Sequence, residues 1–211
     1  MLSLAMSIIE WLGIAAFSVA GAMVAINKKL DVFGVCICSI VTSIGGGIIR
    51  DTLLGLTPPR MFIDSTYLCL AAVISLIVFI TVKIFSKHYT ENQHLIESIV
   101  NVVDAFGIGV FAVVGAQIAI DAGHVSNPFI VIFSGTISCV GGGLLRDVMC
   151  ADIPFIFKKH IYALACIAGS VAYYVLYLYS HPTLAIIAGA SLTIIIRLLA
   201  TYFKWNMPRA L

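Results

Sequence analysis

Gly45-Gly46-Gly47-Ile48-Ile49-Arg50-Asp51 recurs as Gly141-Gly142-Gly143-Leu144-Leu145-Arg146-Asp147, each time inside a long apolar run. Three consecutive glycines cost a helix about 3 kcal/mol relative to alanines, and an Arg-Asp pair in hydrocarbon costs several more. Paying that cost twice calls for a purpose. The reading that follows is an interruption of a membrane-spanning helix at each triplet. It would free backbone N–H and C=O groups that lipid cannot satisfy but a wet or protein-lined cavity can.

Around these stretches the chain is 211 residues long, 61% hydrophobic and only 10% charged, with a mean hydropathy of +1.10. A soluble domain carries charge on roughly a quarter of its residues, so the composition specifies an all-α integral membrane protein. At about 20 residues per crossing, seven spans are expected: 5–26, 32–55, 65–84, 98–120, 127–150, 160–179 and 183–203. The first lacks a basic leader and a small-x-small cleavage site, and so is expected to be a retained span. The net charge of +2 carries no signature of nucleic-acid binding. Lys28, Lys29, Lys87, Lys158, Lys159, Lys204 and Arg209, with Lys83, fall on one side, and Arg60 on the other. Positive-inside bias then puts the N-terminus outside and the C-terminus in the cytoplasm of a multi-pass protein of the cell inner (plasma) membrane.

Residues 9–26 align with 103–120, matching Glu10 to Asp104, Gly13 to Gly107, Phe17 to Phe111 and Gly21 to Gly115; Pro58 then matches Pro154. The 1–211 chain thus reads as a single membrane domain with a three-span repeat over 5–90, a second over 98–180 and an unmatched seventh span over 183–203. An odd number of spans per repeat forces the second copy to start from the opposite side, so the halves are inverted. Ala185 and Gly189 permit close helix approach in the seventh span. Tyr162, Tyr173, Tyr174, Tyr177 and Tyr179 crowd the sixth, and those near its ends, with Trp11 and Trp205, read as interfacial anchors.

Depth along the spans groups Glu10 with Arg50 toward the outer leaflet and Asp104 with Arg146 toward the inner one. Asp51 and Asp147, about 100° around the helix from their arginines, are expected not to face them. Two roles fit these charges: closed clusters that fix helix packing, or a polar pathway. In the second, carbonyls at a helix break face a dehydrated cation while freed N–H groups suit an anion or carboxylate. Thr42, Ser43, Ser134, Thr136 and Ser138 precede the triplets and offer hydroxyl ligands, although membrane-helix hydroxyls usually bond their own backbone. Cys36, Cys38, Cys69, Cys139, Cys150 and Cys166, and His88, His94, His124, His160 and His181, lack metal-ligand spacing, so no metal or cofactor is expected beyond transient monovalent cations. No HExxH or Ser/His/Asp constellation occurs, and the chain is not read as an enzyme.

The doubled GGG-(I/L)-(I/L)-R-D motif, a proline seven residues after each Asp, the inverted repeats and the seventh span resemble the prokaryotic trimeric intracellular cation (TRIC) channel family over nearly the whole chain. The resemblance implies a homotrimer in the lipid bilayer, with a pore in each subunit lined by the second and fifth spans. It implies potassium or sodium ions as permeants, chiefly potassium, with the six triplet glycines forming kinks and Arg50, Asp51, Arg146 and Asp147 near the path. The Lys-Glu-Val motif of the animal members is missing from the triplet region, so their gating is not implied. The related bacterial domain is also associated with glycine transport. A secondary transporter of a small amino acid such as glycine therefore stands as the alternative, with Arg50 or Arg146 binding the carboxylate.

Overall fold

The computed structural model describes residues 2–158 and 161–205, and Lys159, His160 and Arg209 of the sequence reading lie outside them. The described residues form helices α1 (Leu2–Asn27), α2 (Val32–Leu53), α3 (Arg60–Ile63), α4 (Thr66–Ile84), α5 (Ser86–Glu91), α6 (Gln93–Ala119), α7 (Pro128–Met149), α8 (Phe155–Lys158), α9 (Ala163–Tyr179) and α10 (Pro182–Tyr202). A π-turn at Ile120–His124 extends α6. Six of these are long and apolar enough to cross a membrane. The sixth expected span is realised as α9, of 17 residues, or about 26 Å at 1.5 Å per residue.

Start and stop signals recur at matched positions. Asp31 caps α2 by accepting the Gly34 N–H at 2.8 Å, and Asn127 caps α7 by accepting that of Ile130 at 3.3 Å, with Pro128 in the first turn. Each cap satisfies a helix N–H that lipid cannot. At the other end, Leu54 N–H donates to the Arg50 carbonyl and Cys150 N–H to that of Arg146, both at 2.9 Å. The next residues, Gly55 (φ 73°) and Ala151 (φ 53°), both turn left-handed. Glycine adopts that conformation freely, whereas alanine does so at a steric cost.

Between these caps the glycine triplets do not interrupt anything. Both α2 and α7 run as α-helix straight through Gly45–Gly47 and Gly141–Gly143, correcting the expected break. The missing side chains instead let two helices touch. A Cβ on Gly46 would strike the Ser138 carbonyl, one on Gly142 the Thr42 carbonyl, and one on Gly141 would lie 3.0 Å from the Gly46 Cα. In lipid, where no hydrophobic force draws helices together, such backbone approach is a main source of association.

Helices α1 and α6 flank this crossing and run antiparallel. Their aromatic rings stack at the centre, Phe17 on Phe111, with centroids 5.0 Å apart and planes at 25°. Each ring fits over the glycine matched to the partner's own: a Cβ on Gly13 would meet Phe111, and one on Gly107 would meet Phe17. Ile14, Ile44, Ile108 and Val140 complete this buried core. Phe33, Ile77, Ile80, Phe129, Ile187 and Ile195 stay exposed on the outside, as a lipid-facing surface requires.

The tyrosines of α9 divide. Tyr179 is exposed, as an interfacial anchor should be, but Tyr162, Tyr173 and Tyr174 are buried. The Tyr173 hydroxyl donates to the Gln117 side-chain carbonyl, and that of Tyr174 to the Val125 carbonyl at 2.8 Å. The first pins α9 to α6, and the second ties it to the connection before α7. The small-residue face of α10 is likewise used within the chain, since Gly189 sits against Tyr173 and the Gly169 carbonyl of α9.

Candidate functional site

Each glycine triplet delivers an arginine one turn later into a protein interior. Arg50 is fully buried, its Nε donating to Asp51 Oδ1 at 2.8 Å with Nη2 at 2.6 Å from the same oxygen. Arg146 repeats this on Asp147, with Nε and Nη2 both 2.8 Å from Oδ1. The expectation that these neighbours would not meet is corrected: the arginine stem is long enough to fold back around the helix. The second carboxylate oxygen reaches forward, Asp51 Oδ2 accepting the Arg60 N–H at 2.9 Å and Asp147 Oδ2 that of Phe155 at 2.8 Å. Each aspartate thereby fastens its arginine to the start of the short helix α3 or α8. Both oxygens of each carboxylate are thereby satisfied, a condition for burying the pair, while Arg50 Nη2 keeps the ion contact without a hydrogen bond.

The depth-matched partners also differ from expectation. Glu10 pairs not with Arg50 but with Arg60, at 2.9 Å, and accepts from the Tyr67 hydroxyl at 3.4 Å. Arg60 enters from the loop end and so needs no deep burial to reach it, while Arg50 is already taken by Asp51. Asp104 accepts from the Tyr162 hydroxyl at 3.4 Å, the counterpart of Tyr67, and among the described residues no ion pair joins it to Arg146. The hydroxyls before the triplets bond their own helix: Thr42 to Cys38 at 2.5 Å, Ser43 to Ser39 at 3.0 Å, Thr136 to Ile132 at 2.8 Å and Ser138 to Ser134 at 2.6 Å. Arg50 Nη1 also lies 3.4 Å from the Ser138 hydroxyl, so the first repeat's arginine touches the second repeat's helix.

Two cavities open at opposite ends of the α1–α6 pair. The first, of 300 Å³, is lined by Met6, Ser7, Glu10 and Arg60 with Val114, Gln117, Ile118 and Asp121. The second, of 190 Å³, is lined among others by Ala20, Met23, Val24 and Asn27 with Val100, Asn101 and Asp104. Every α1 and α6 position in the first has its matched partner in the second, 94 residues away. Met6 and Ser7 answer to Val100 and Asn101, and Gln117 and Asp121 to Met23 and Asn27. Along each helix, the stacked Phe17 and Phe111 lie between the two cavities. The arrangement is a pair of polar vestibules separated by an apolar septum.

Arg197 is one residue that the sequence reading missed. It projects from α10, is 2% exposed, and lies in the wall of the second vestibule beside Arg146 and Tyr162. Its guanidinium carbon is 4.7 Å from the centroid of the Tyr162 ring. The signal was present, since an arginine within the apolar run Ile194-Ile195-Ile196-Arg197-Leu198-Leu199 is costly unless it faces the bundle interior. Tyr67 and Arg60 were missed as site residues because their partners come from distant sequence.

Comparison with known proteins places the fold in a family. A protein-family model described as "Glycine transporter" matches residues 7–83 and 101–178. The UPF0126 inner membrane protein YadS of Escherichia coli K12 is 34% identical over 206 residues, covering 95% of each chain. A solved structure described as the TRIC trimeric intracellular cation channel orthologue from Rhodobacter sphaeroides superposes with a TM-score of 0.83 at 30% identity, over 95% of this chain and 99% of that one. A prokaryotic TRIC channel crystallised in 0.5 M KCl gives 0.85 at 32%, over 97% and 100%. The chain therefore belongs to the prokaryotic TRIC family, the same family that the glycine-transporter model describes.

Proposed function

We propose that this chain is a channel for monovalent cations, potassium foremost, with one route inside each subunit of a homotrimer. The observation that carries the reading is the pair of matched vestibules, one at each end of the α1–α6 pair, with acidic residues in both. Glu10 and Asp121 line one, and Asp104 and Glu97 the other. The route runs from one vestibule past the Phe17–Phe111 septum to the other, beside the crossing of α2 and α7. In it the triplet glycines, Thr42, Ser43 and Ser138 set the closeness of the walls. Arg50 and Arg146, held by Asp51 and Asp147, are structural charges beside the path. The cation and trimer assignments are supported by the Rhodobacter sphaeroides neighbour, which is described in those words. Two inverted repeats over 5–90 and 98–180 with an added helix over 183–203, an outside N-terminus, a cytoplasmic C-terminus and residence in the inner membrane complete the proposal.

A second reading, a transporter of glycine, is favoured by the description of the family model and by the septum between two vestibules, the layout of an alternating-access carrier. Reconstitution separates the two. Unitary potassium currents in planar bilayers carry the first. Saturable counterflow of labelled glycine in proteoliposomes without unitary currents replaces it with the second.

A further inference from the structure

The two vestibules are built from matched positions, yet their charges are arranged differently. In the first, Glu10 is closed by Arg60 at 2.9 Å, so acid and base satisfy each other. In the second, Asp104 stands where Glu10 stood and Tyr162 where Tyr67 stood. The position matching Arg60, counted from Pro58 and Pro154, is Ile156 and offers no charge. Arg197 arrives instead from α10, the helix with no counterpart in the repeat, and it does not close on Asp104. No ion pair joins them among the described residues.

Two of the three guanidinium nitrogens of Arg197 lack an acceptor. Its Nε and Nη1 are buried and find no hydrogen-bond partner among the described residues. The Tyr162 ring satisfies only the face of the cation, as a cation–π contact does. Arg146, the other guanidinium of the vestibule, is occupied by Asp147. A planar fork with free N–H groups matches the paired oxygens of a carboxylate or phosphate, and the acidic Asp104 and Glu97 in the same lining favour the smaller charge of a carboxylate. The space beside it, 190 Å³, is the share of about six waters and below the size of a drug-like pocket.

We infer that the vestibule lined by Arg197, Asp104 and Asn101 is a binding site for a small carboxylate, with Arg197 as its anchor. Asp104, on the same wall, faces the remainder of the ligand and favours one that also carries an ammonium group, so a small zwitterion is held at both ends. The ligand class rests on the transporter reading, to which this adds the site and its anchoring residue; occupancy is read in detergent, so a failure here is distinguishable from a failure of counterflow or of current.

The test is thermal stability of the purified full-length protein at constant ionic strength, titrated with sodium acetate, glycine or methylammonium chloride. Acetate and glycine are expected to raise the melting temperature of the wild type, glycine at lower concentration, while methylammonium leaves it unchanged. Arg197→Lys should weaken acetate by about tenfold or more, as loss of a charged paired hydrogen bond does. Arg197→Gln should abolish the shift, and Asp104→Asn should remove the advantage of glycine over acetate. Equal shifts in wild type and Arg197→Gln, or none in the wild type, would overturn the inference. Should Arg197→Gln fail to fold, competition of acetate against labelled glycine on the wild type decides, and absence of competition overturns it.

Discussion

Replacing Gly142 and Gly143 of the second triplet one at a time by alanine separates helix breaking from helix contact. A Cβ on Gly143 would lie 3.6 Å from Arg146 Nη2 and 4.0 Å from the Tyr162 hydroxyl, ordinary distances that demand no movement. Gly143→Ala should then gain the helix propensity of alanine, about 1 kcal/mol. A Cβ on Gly142 would instead lie 2.9 Å from the Thr42 carbonyl carbon, with the carbonyl oxygen nearer still. All of these are backbone atoms of α2, which retreat only if the helices part. Overpacking of that kind costs about 1–3 kcal/mol. Gly142→Ala gains the same propensity, so the two variants should differ by the overpacking cost alone, about 1–3 kcal/mol, or roughly 2 to 12 °C in melting temperature on the scale of globular proteins this size. Thermal melting of purified protein, followed by tryptophan fluorescence, measures this. If the glycines acted by breaking the helix, the variants would shift together, and equal shifts refute the reasoning.

Three further outcomes follow from the same contacts. Phe17→Ala and Phe111→Ala should each destabilise by about 3–5 kcal/mol and raise potassium conductance or open probability to a similar extent, since each ring occupies the same place in its half; unchanged or smaller currents would remove the septum from the route. Arg60→Met leaves Glu10 buried without its cation and should cost about 1–3 kcal/mol, with Glu10→Gln in the same chain recovering part of it; a thermodynamic cycle with no coupling would show the pair to be idle. Outside the membrane, the hydrogen bond from the Thr66 hydroxyl holds the Asp64 carboxyl below its ordinary range. Its contribution to stability is therefore present above the unfolded value near 3.9 and lost as pH falls through the lower folded one. Thr66→Val should bring the carboxyl resonance of Asp64 back toward that ordinary value in an NMR titration.

The helices were legible because hydrophobic length acts locally: apolar runs of about 20 residues mark the spans before any contact is known, whereas the caps at Asp31 and Asn127 emerged from the structure. The Glu10–Asp104 and Phe17–Phe111 correspondences were legible as a repeat, and they give the two vestibules and the septum once α1 and α6 are laid antiparallel. The function of the triplets was not. A glycine in hydrocarbon reads the same whether it loosens its own helix or admits another, and only the Thr42 and Ser138 carbonyls distinguish the cases. Partner choice among the charges was equally hidden. Arg60 and Arg50 both lie within range of one end of α1, and the fold-back of Arg50 onto Asp51 depends on side-chain reach, which sequence spacing does not measure. Arg197 escaped notice because it belongs to the one helix that the repeat does not predict.

That odd helix gives the molecule a direction. A body assembled from two mirrored halves alone would present the same chemistry to either side of the bilayer and conduct or carry alike both ways. By sending a guanidinium to one vestibule while the other takes its arginine from α3, α10 makes the two ends unequal, so rectification, sidedness of block and response to solutes are properties to look for in oriented membranes.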